Sequence, residues 1–189
     1  MLIVGSGPGG LLAALSAASR MPRNGVLVVD RMPAPGIKLA ASGGGRGNLS
    51  HLSDEEEFAG AFGRHGRFAI PAFRALPPEA LRALLSEIGT PTVVDPAGRI
   101  YPRSQSAAQI RDALSNACVR AGVKFIFNRD VRHLAPPESP EAPWLADGIS
   151  AWSVLLAAGG QSAPRLGSDG SGFALARALG YDVVPPVPA

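Results

Sequence analysis

Short apolar runs and stretches of helical periodicity alternate along the chain. Leu2 to Val4 is apolar and β-branched and runs into a glycine turn, after which Leu11, Leu12, Leu15 and Ala18 recur at helical spacing. Met21-Pro-Arg-Asn-Gly25 stops that helix, and Val26 to Val29 reads as a second buried strand. Ile110, Leu114, Ala117, Cys118 and Ala121 share one face of a helix over Ala107 to Ala121. Gly122 ends it, and Val123 to Phe127 and Trp152 to Ala157 are each predicted to be buried strands. A last short helix spans Gly172 to Leu179 and stops at Gly180. This order predicts an α/β fold: a mostly parallel sheet with flanking helices.

The middle of the chain breaks the alternation. Ser53, with Glu56 three residues on, has the form of a capping box, and Pro77 to Ile88 is an amphipathic helix ended by Gly89. Val93-Val94 and Arg99 to Tyr101 read as short strands around the turn at Pro96-Ala-Gly98. Residues 1–182 are therefore expected to form one domain with a helical excursion at about 53–105, followed by a proline-rich tail over 183–189. Ala135 to Pro143 holds four prolines in nine residues and can be neither helix nor central strand.

Composition narrows the classes. With 189 residues and 46% hydrophobic content, the chain has enough apolar material for a core. A single cysteine excludes an internal disulfide, and no leader pattern precedes the first strand, so the expected compartment is cytoplasmic. The apolar runs are too short for a bilayer, so no membrane partner is expected. The net charge is only +3 and the arginines are scattered, so no nucleic-acid partner is expected either. There is no G-x-S-x-G elbow, no phosphate loop of the G-x-x-x-x-G-K type, and no metal-ligand spacing among His51, His65, His133 and Cys118. Cys118 reads as core and His133 as an exposed strand residue; no catalytic side chain stands out.

The candidate chemistry lies in the glycines. Gly5, Gly7 and Gly10 have the G-x-G-x-x-G spacing between strand and helix, which suits a pyrophosphate at a helix N-terminus. Asp30, twenty residues after Gly10, ends the second strand where a carboxylate can accept from a ribose hydroxyl. These features alone leave NAD, FAD or a bare glycine turn open. Gly43-Gly-Gly-Arg46-Gly-Asn48 makes a poor helix or strand but a good loop for close approach to a flat or anionic ligand; a flexible linker is the alternative.

The string Gly36-x-Lys38-Leu-x-x-Ser42-Gly-Gly-Gly-Arg46-x-Asn48-x-Ser50 resembles the aminoacetone oxidase family of FAD-binding flavoproteins, also called BaiN-like or HI0933-like NAD(P)/FAD-dependent oxidoreductases. Two further strings match in the family's order: Gly98-Arg-Ile-Tyr101-Pro102-x-Ser104, and Ala157-Ala-Gly159-Gly160-x-Ser162-x-Pro164-x-x-Gly167-Ser168-x-Gly170-x-Gly172-Phe173. The resemblance implies a Rossmann-like FAD/NAD(P)-binding domain with FAD as cofactor, NAD(P)H as a reductant and an unknown small-molecule substrate. It implies that Gly5, Ser6, Gly7, Pro8, Gly9 and Gly10 hold the pyrophosphate and Asp30 the ribose, with Arg31 and Lys38 flanking the adenosine and phosphates. Gly45, Arg46 and Asn48 would line the flavin, Val131 would contact the adenine through its backbone, and Gly159 and Gly160 would approach the cofactor.

The chain departs from the family at Gly47 (usually Cys), His51 (usually Asn), Ala158 (usually Thr) and Ser171 (usually acidic). Family members also carry a three-stranded meander where this chain has its proline-rich segment, which is expected to be shrunken or replaced. They continue well beyond this length, so the chain is expected to correspond to their N-terminal part. Two alternatives stay open: a truncated, non-catalytic remnant of such a flavoprotein, and an NAD-binding dehydrogenase domain.

Overall fold

The computed structural model describes residues 1–187; the last two residues of the expected tail lie outside it. In chain order the elements are β1 (Leu2–Val4), α1 (Pro8–Ala18), β2 (Leu27–Val29), α2 (Ile37–Ala40), β3 (Ser50–His51), α3 (Glu55–Ala61), α4 (Gly66–Ala75) and α5 (Pro78–Glu87). They continue with β4 (Thr92–Val94), β5 (Arg99–Pro102), α6 (Ala107–Arg120), β6 (Lys124–Ile126), β7 (Leu134–Ala135), β8 (Trp144–Ala146), β9 (Ile149–Ala151), β10 (Val154–Leu156) and α7 (Ser171–Ala178). They form two compact units, one from Met1–Leu39 with the described residues of Leu114–Ala189 and the other from Ala40–Ala113.

The first unit is built on a parallel sheet in the order β10-β1-β2-β6. Ile3 pairs in register with Val28 on one side and Leu155 on the other, and Val28 with Phe125. As a central strand, β1 is covered on both faces, so Leu2 and Ile3 are fully buried. Alternation then sorts the side chains. Leu2, Val4 and Val29 pack with Val131, Ala146 and Leu175 in one cluster, while Ile3 and Val28 face the other way. On α6, Leu114, Ala117 and Cys118 are buried on the face the periodicity marked.

Two expected buried strands prove to be edges. In β6, Lys124 and Ile126 are exposed and Phe125 is half-buried, and β10 is only half-buried. Trp152, just before β10, is 72% exposed. Both segments are mainly apolar, interrupted by Lys124 and Ser153, and local pattern does not reveal that, among the described residues, each pairs with a strand on one side only. The meander is present: β7, β8 and β9 form a three-stranded antiparallel sheet whose Leu134, Ile149 and Ala151 pack on the core cluster. It is therefore not replaced: its strands have two or three residues each, and the proline-rich segment is its β7–β8 connection.

The second unit has an antiparallel sheet in the order β3-β5-β4 and the helices α3 to α5. Its core includes Leu85, Ile100, Tyr101, Ala107 and Ile110. The cap of α3 is Asp54, one residue after the expected Ser53. The Asp54 carboxylate accepts from the Glu57 N–H at 2.9 Å, and Glu57 accepts from the Asp54 N–H at 3.3 Å. Asp caps as well as Ser and Asp54–Glu57 has the same spacing, so the register fell to the pair that closes both bonds. Helix α4, which carries Pro71 inside it, had no clear sequence signal; it packs against α3 through Phe58 and Phe73, with ring centroids 4.7 Å apart. Arg74 adds a two-pronged ion pair to Glu55 at 2.6 and 2.7 Å. This surface pair contributes little to stability.

Candidate functional site: a glycine cradle at the first helix

The turn between β1 and α1 requires glycine at two positions for steric reasons and leaves two others open. Gly5 has φ +105°, and a Cβ there would lie 2.4 Å from the Ala157 carbonyl oxygen, because β10 runs directly alongside. A Cβ on Gly10 would lie 2.0 Å from the Gly5 oxygen, so helix and strand are packed backbone to backbone. On Gly7 and Gly9 a Cβ would meet nothing within 4 Å. The first two glycines therefore hold the turn closed, and the other two leave a space in front of it.

That space faces the positive end of α1. Gly7 caps the helix in an extended conformation without a side-chain hydrogen bond, Pro8 fills the first turn where its missing N–H does no harm, and no acidic residue lies in that turn. The N–H groups of the first turn have no helical acceptors, so the chain leaves both their hydrogen-bonding capacity and the dipole unneutralised.

Around the cradle the polar residues are already organised. Ser6, fully buried, donates both its N–H and its hydroxyl to Asp30 Oδ2, each at 2.6 Å, while Asp30 Oδ1 accepts from the Met32 N–H at 2.9 Å. The Gly36 N–H donates to the Ser6 carbonyl at 2.9 Å, drawing the loop after β2 onto the same turn. Arg31 is committed elsewhere in this unit: it pairs with Asp169 and donates to the Gly167 carbonyl at 2.8 Å. The Arg31 hydrogen bond holds the Asp169 carboxyl well below the usual carboxylate range, and the same bond raises Arg31. Lys38 Nζ donates to Ser162 Oγ at 2.9 Å on the surface.

Val131 is 5% exposed and its side chain belongs to the core. Among the described residues, neither its N–H nor its carbonyl has a hydrogen-bond partner. Gly159, at φ +76°, lies where a Cβ would meet Ser168 Oγ at 2.8 Å, and the Gly160 carbonyl accepts from the Gly170 N–H at 2.9 Å. These two glycines thus shape the loop that follows β10. Sequence reasoning passed over Asp147, whose carboxylate holds the backbone after Val131; the Asp147-Gly148 pair was the available turn signal.

The second unit carries the other glycine loop. Gly43, Gly44 and Gly45 have φ of +57°, +65° and +86°, a left-handed run that explains why three glycines stand together. Gly44 and Gly45 are open, whereas a Cβ on Gly43 would lie 2.8 Å from the Asn48 nitrogen. Arg46 and Asn48 are exposed. The Arg46 guanidinium lies 5.0 Å from the centroid of the buried Tyr101 ring and donates to the Gly43 carbonyl at 3.4 Å. Among the described residues, the buried Ser42 hydroxyl has no partner. Gly47 has φ +79°, and a Cβ there would lie 2.6 Å from Ile110 Cδ1, so this loop geometry demands glycine where the family usually has cysteine. His51 reaches the turn between β4 and β5, with Nε2 2.7 Å from the Ala97 carbonyl.

Parallel sheet, glycine turn and open helix N-terminus together define a dinucleotide-binding Rossmann domain. Residues 1–187 match the HI0933-like protein Rossmann domain, and the chain belongs to this family of FAD-dependent oxidoreductases. It is 33% identical to a 3-dehydro-bile acid delta(4,6)-reductase of Clostridium scindens, covering 99% of this chain and 45% of that protein. It is 28% identical to a ribosomal RNA dihydrouridine synthase of Escherichia coli K12, covering 97% of this chain and 45% of that protein. The chain therefore spans about half the length of these curated relatives. Its fold is similar to that of a 3-ketosteroid-Δ4-(5α)-dehydrogenase from Rhodococcus jostii RHA1, with a TM-score of 0.69 at 19% identity over 96% of this chain and 53% of that one. Among the described residues, no helix is long and apolar enough to cross a membrane, and no group of three or more His, Cys, Asp or Glu side chains is placed to hold a metal.

Proposed function

We propose that this chain binds FAD by its ADP half in the first unit and serves hydride transfer, with NAD(P)H as the reductant and a small molecule as the substrate. The observation that carries this reading is the pairing of two unfilled features: the open space before Gly7 and Gly9, and the N–H and carbonyl of the buried residue Val131, unpartnered among the described residues. A pyrophosphate suits the first, being anionic and met by free N–H groups. Adenine suits the second, since its N1 acceptor beside an N6 donor complements one residue's N–H and carbonyl. Asp30 keeps acceptor capacity beyond its three internal bonds for a ribose hydroxyl, and its charge disfavours a 2′-phosphate there. Gly159 and Gly160 leave the loop after β10 low in bulk. Arg31 and Lys38 act by holding loops and by their positive charge, since both already have protein partners.

When bound, the flavin supplies the acceptor and donor of the hydride. This chain's residues bind and orient it. Taken by itself, the second unit carries in one loop the fixed positive charge of Arg46, the donor and acceptor of Asn48 and the bare Gly44-Gly45 backbone, a set suited to a flat or anionic group. The bile-acid relative is named as a reductase, so reduction is the direction to test first. The other relative's name refers to ribosomal RNA, and the scattered arginines of this chain favour a small molecule over that class.

The test is direct. Purified protein mixed with FAD and passed over a desalting column should retain flavin absorbance, and titration should quench flavin fluorescence. Absence of both would overturn the reading. Oxidation of NAD(P)H in the loaded protein, and a gel-shift control with RNA, address reductant and substrate class.

A further inference from the structure

Residues 128–133 run from the end of β6 towards the meander without regular structure, yet Val131 lies within them at a fixed place in the core. The hairpin between β8 and β9 holds them. Asp147 Oδ2 accepts from the Arg132 N–H at 2.5 Å and from the His133 N–H at 3.2 Å, and Asp147 Oδ1 is 3.0 Å from His133 Nδ1. The Arg129 guanidinium donates to the Asp147 carbonyl at 2.6 Å. The Asp147 N–H reaches the His133 carbonyl at 3.3 Å. The Asp147 carboxylate therefore ties the backbone after Val131, while before it the Arg129 N–H donates to the Asp30 carbonyl at 3.0 Å; the bond from Arg132 also holds the Asp147 carboxyl below its usual range.

The bonds fall on the neighbours of Val131 and not on Val131 itself. A backbone left free to rotate would present its N–H and carbonyl in many orientations; holding the N–H groups of residues 129, 132 and 133 aims those two groups and leaves them unpaired. Resting on the FAD reading above, we propose that Asp147 is a positioning residue for adenine recognition, setting the direction of the Val131 N–H and carbonyl from the meander. The meander would thereby have a role in cofactor selectivity, which explains why it persists here in strands of two or three residues.

The turn itself allows a clean test. Asp147 has φ +42° and is followed by Gly148 at φ +87°, so Asp147→Gly removes the carboxylate without straining the backbone. ADP, IDP and inorganic pyrophosphate are the probes. IDP reverses the hydrogen-bonding pattern at positions 1 and 6 of the base, and pyrophosphate lacks the base. Expected for Asp147→Gly is an ADP affinity lower by about tenfold, a reduced ADP-over-IDP preference and unchanged pyrophosphate binding. Asp147→Asn, whose amide oxygen can still accept from both N–H groups, should restore most of the preference.

Should Asp147→Gly not fold, Arg129→Gln loosens the same turn from an exposed position, and a smaller fall in the same ADP-over-IDP ratio is expected. A folded Asp147→Gly with wild-type ADP affinity and ratio, or, where that variant is unfolded, an Arg129→Gln ratio equal to wild type, overturns the inference while FAD binding stands. Wild-type protein that binds neither ADP nor FAD overturns both.

Discussion

Asp30 Oδ2 accepts two hydrogen bonds from the single residue Ser6, one from its N–H and one from its hydroxyl, each at 2.6 Å. The carboxylate at the end of β2 is thus part of the glycine turn it faces, before any ligand is considered. Asp30→Ala leaves two donors of a fully buried residue without an acceptor, whereas Ser6→Ala removes only the hydroxyl bond. The expected losses are about 2–4 kcal/mol for the first and about 1 kcal/mol for the second, read from urea unfolding midpoints. Equal losses would show that the backbone bond to Ser6 carries no weight.

The glycines of the turn should separate folding from binding. Gly10→Ala places a Cβ 2.0 Å from a backbone oxygen and is expected to destabilise the protein by more than about 3 kcal/mol. Gly7→Ala meets nothing within 4 Å and has an ordinary φ of −67°, so its stability should stay within about 0.5 kcal/mol of wild type. Its Cβ enters the space proposed for the pyrophosphate, so FAD retention should nonetheless fall. Thermal unfolding and flavin retention measured on both variants check this.

Restoring the family's usual residue at Gly47 should be harmful. Gly47→Cys combines a left-handed φ, costing about 1–2 kcal/mol, with a contact at 2.6 Å to Ile110 Cδ1. Ile110→Val removes that carbon. The double variant should therefore be less destabilised than the sum of the two single changes, by about 1 kcal/mol. Strict additivity in chemical denaturation would mean that the contact is relieved in some other way.

Cys118 is fully buried, its Sγ donates to the Leu11 carbonyl at 3.3 Å, and burial pushes its thiol pKa up to about 11. The native protein should resist iodoacetamide at pH 8 and react only on unfolding. The folded pKa lies above the unfolded one, so this thiol's contribution to stability is complete below about pH 8.5 and is lost as pH rises towards 11. Cys118→Ala should flatten the stability profile across that window and leave it unchanged below it. A native thiol that alkylates at the rate of the unfolded chain would refute the assignment.

Much of this architecture was legible in the chain because its determinants are local. Leu2 to Val4 followed by Gly5, Gly7 and Gly10 states a strand, a tight turn and a helix within one stretch, and the face of α6 from Ile110 to Cys118 follows from a repeat of 3.6. The cap of α3 was misplaced by one residue because Ser53 and Asp54 offer the same chemistry at adjacent positions. Helix α4 was not legible because Pro71 and the glycine and arginine residues before it obscure a face whose packing depends on Phe58 of another helix.

By itself, the sequence determined the α/β class, the order of the parallel strands and the helices between them, and the glycine turn at the first helix, since backbone sterics and periodicity act between near neighbours. Tertiary structure alone decided that β6 and β10 are edges among the described strands, that a short meander is present around the prolines, and that the Asp30 and Asp147 carboxylates accept from the backbone N–H groups of Ser6, Arg132 and His133 across gaps of 14 to 24 residues. It also decided which polar groups remain unpaired, and so where a ligand is wanted. Hydrogen-bond satisfaction is a property of the folded neighbourhood, and no residue carries it in its own identity.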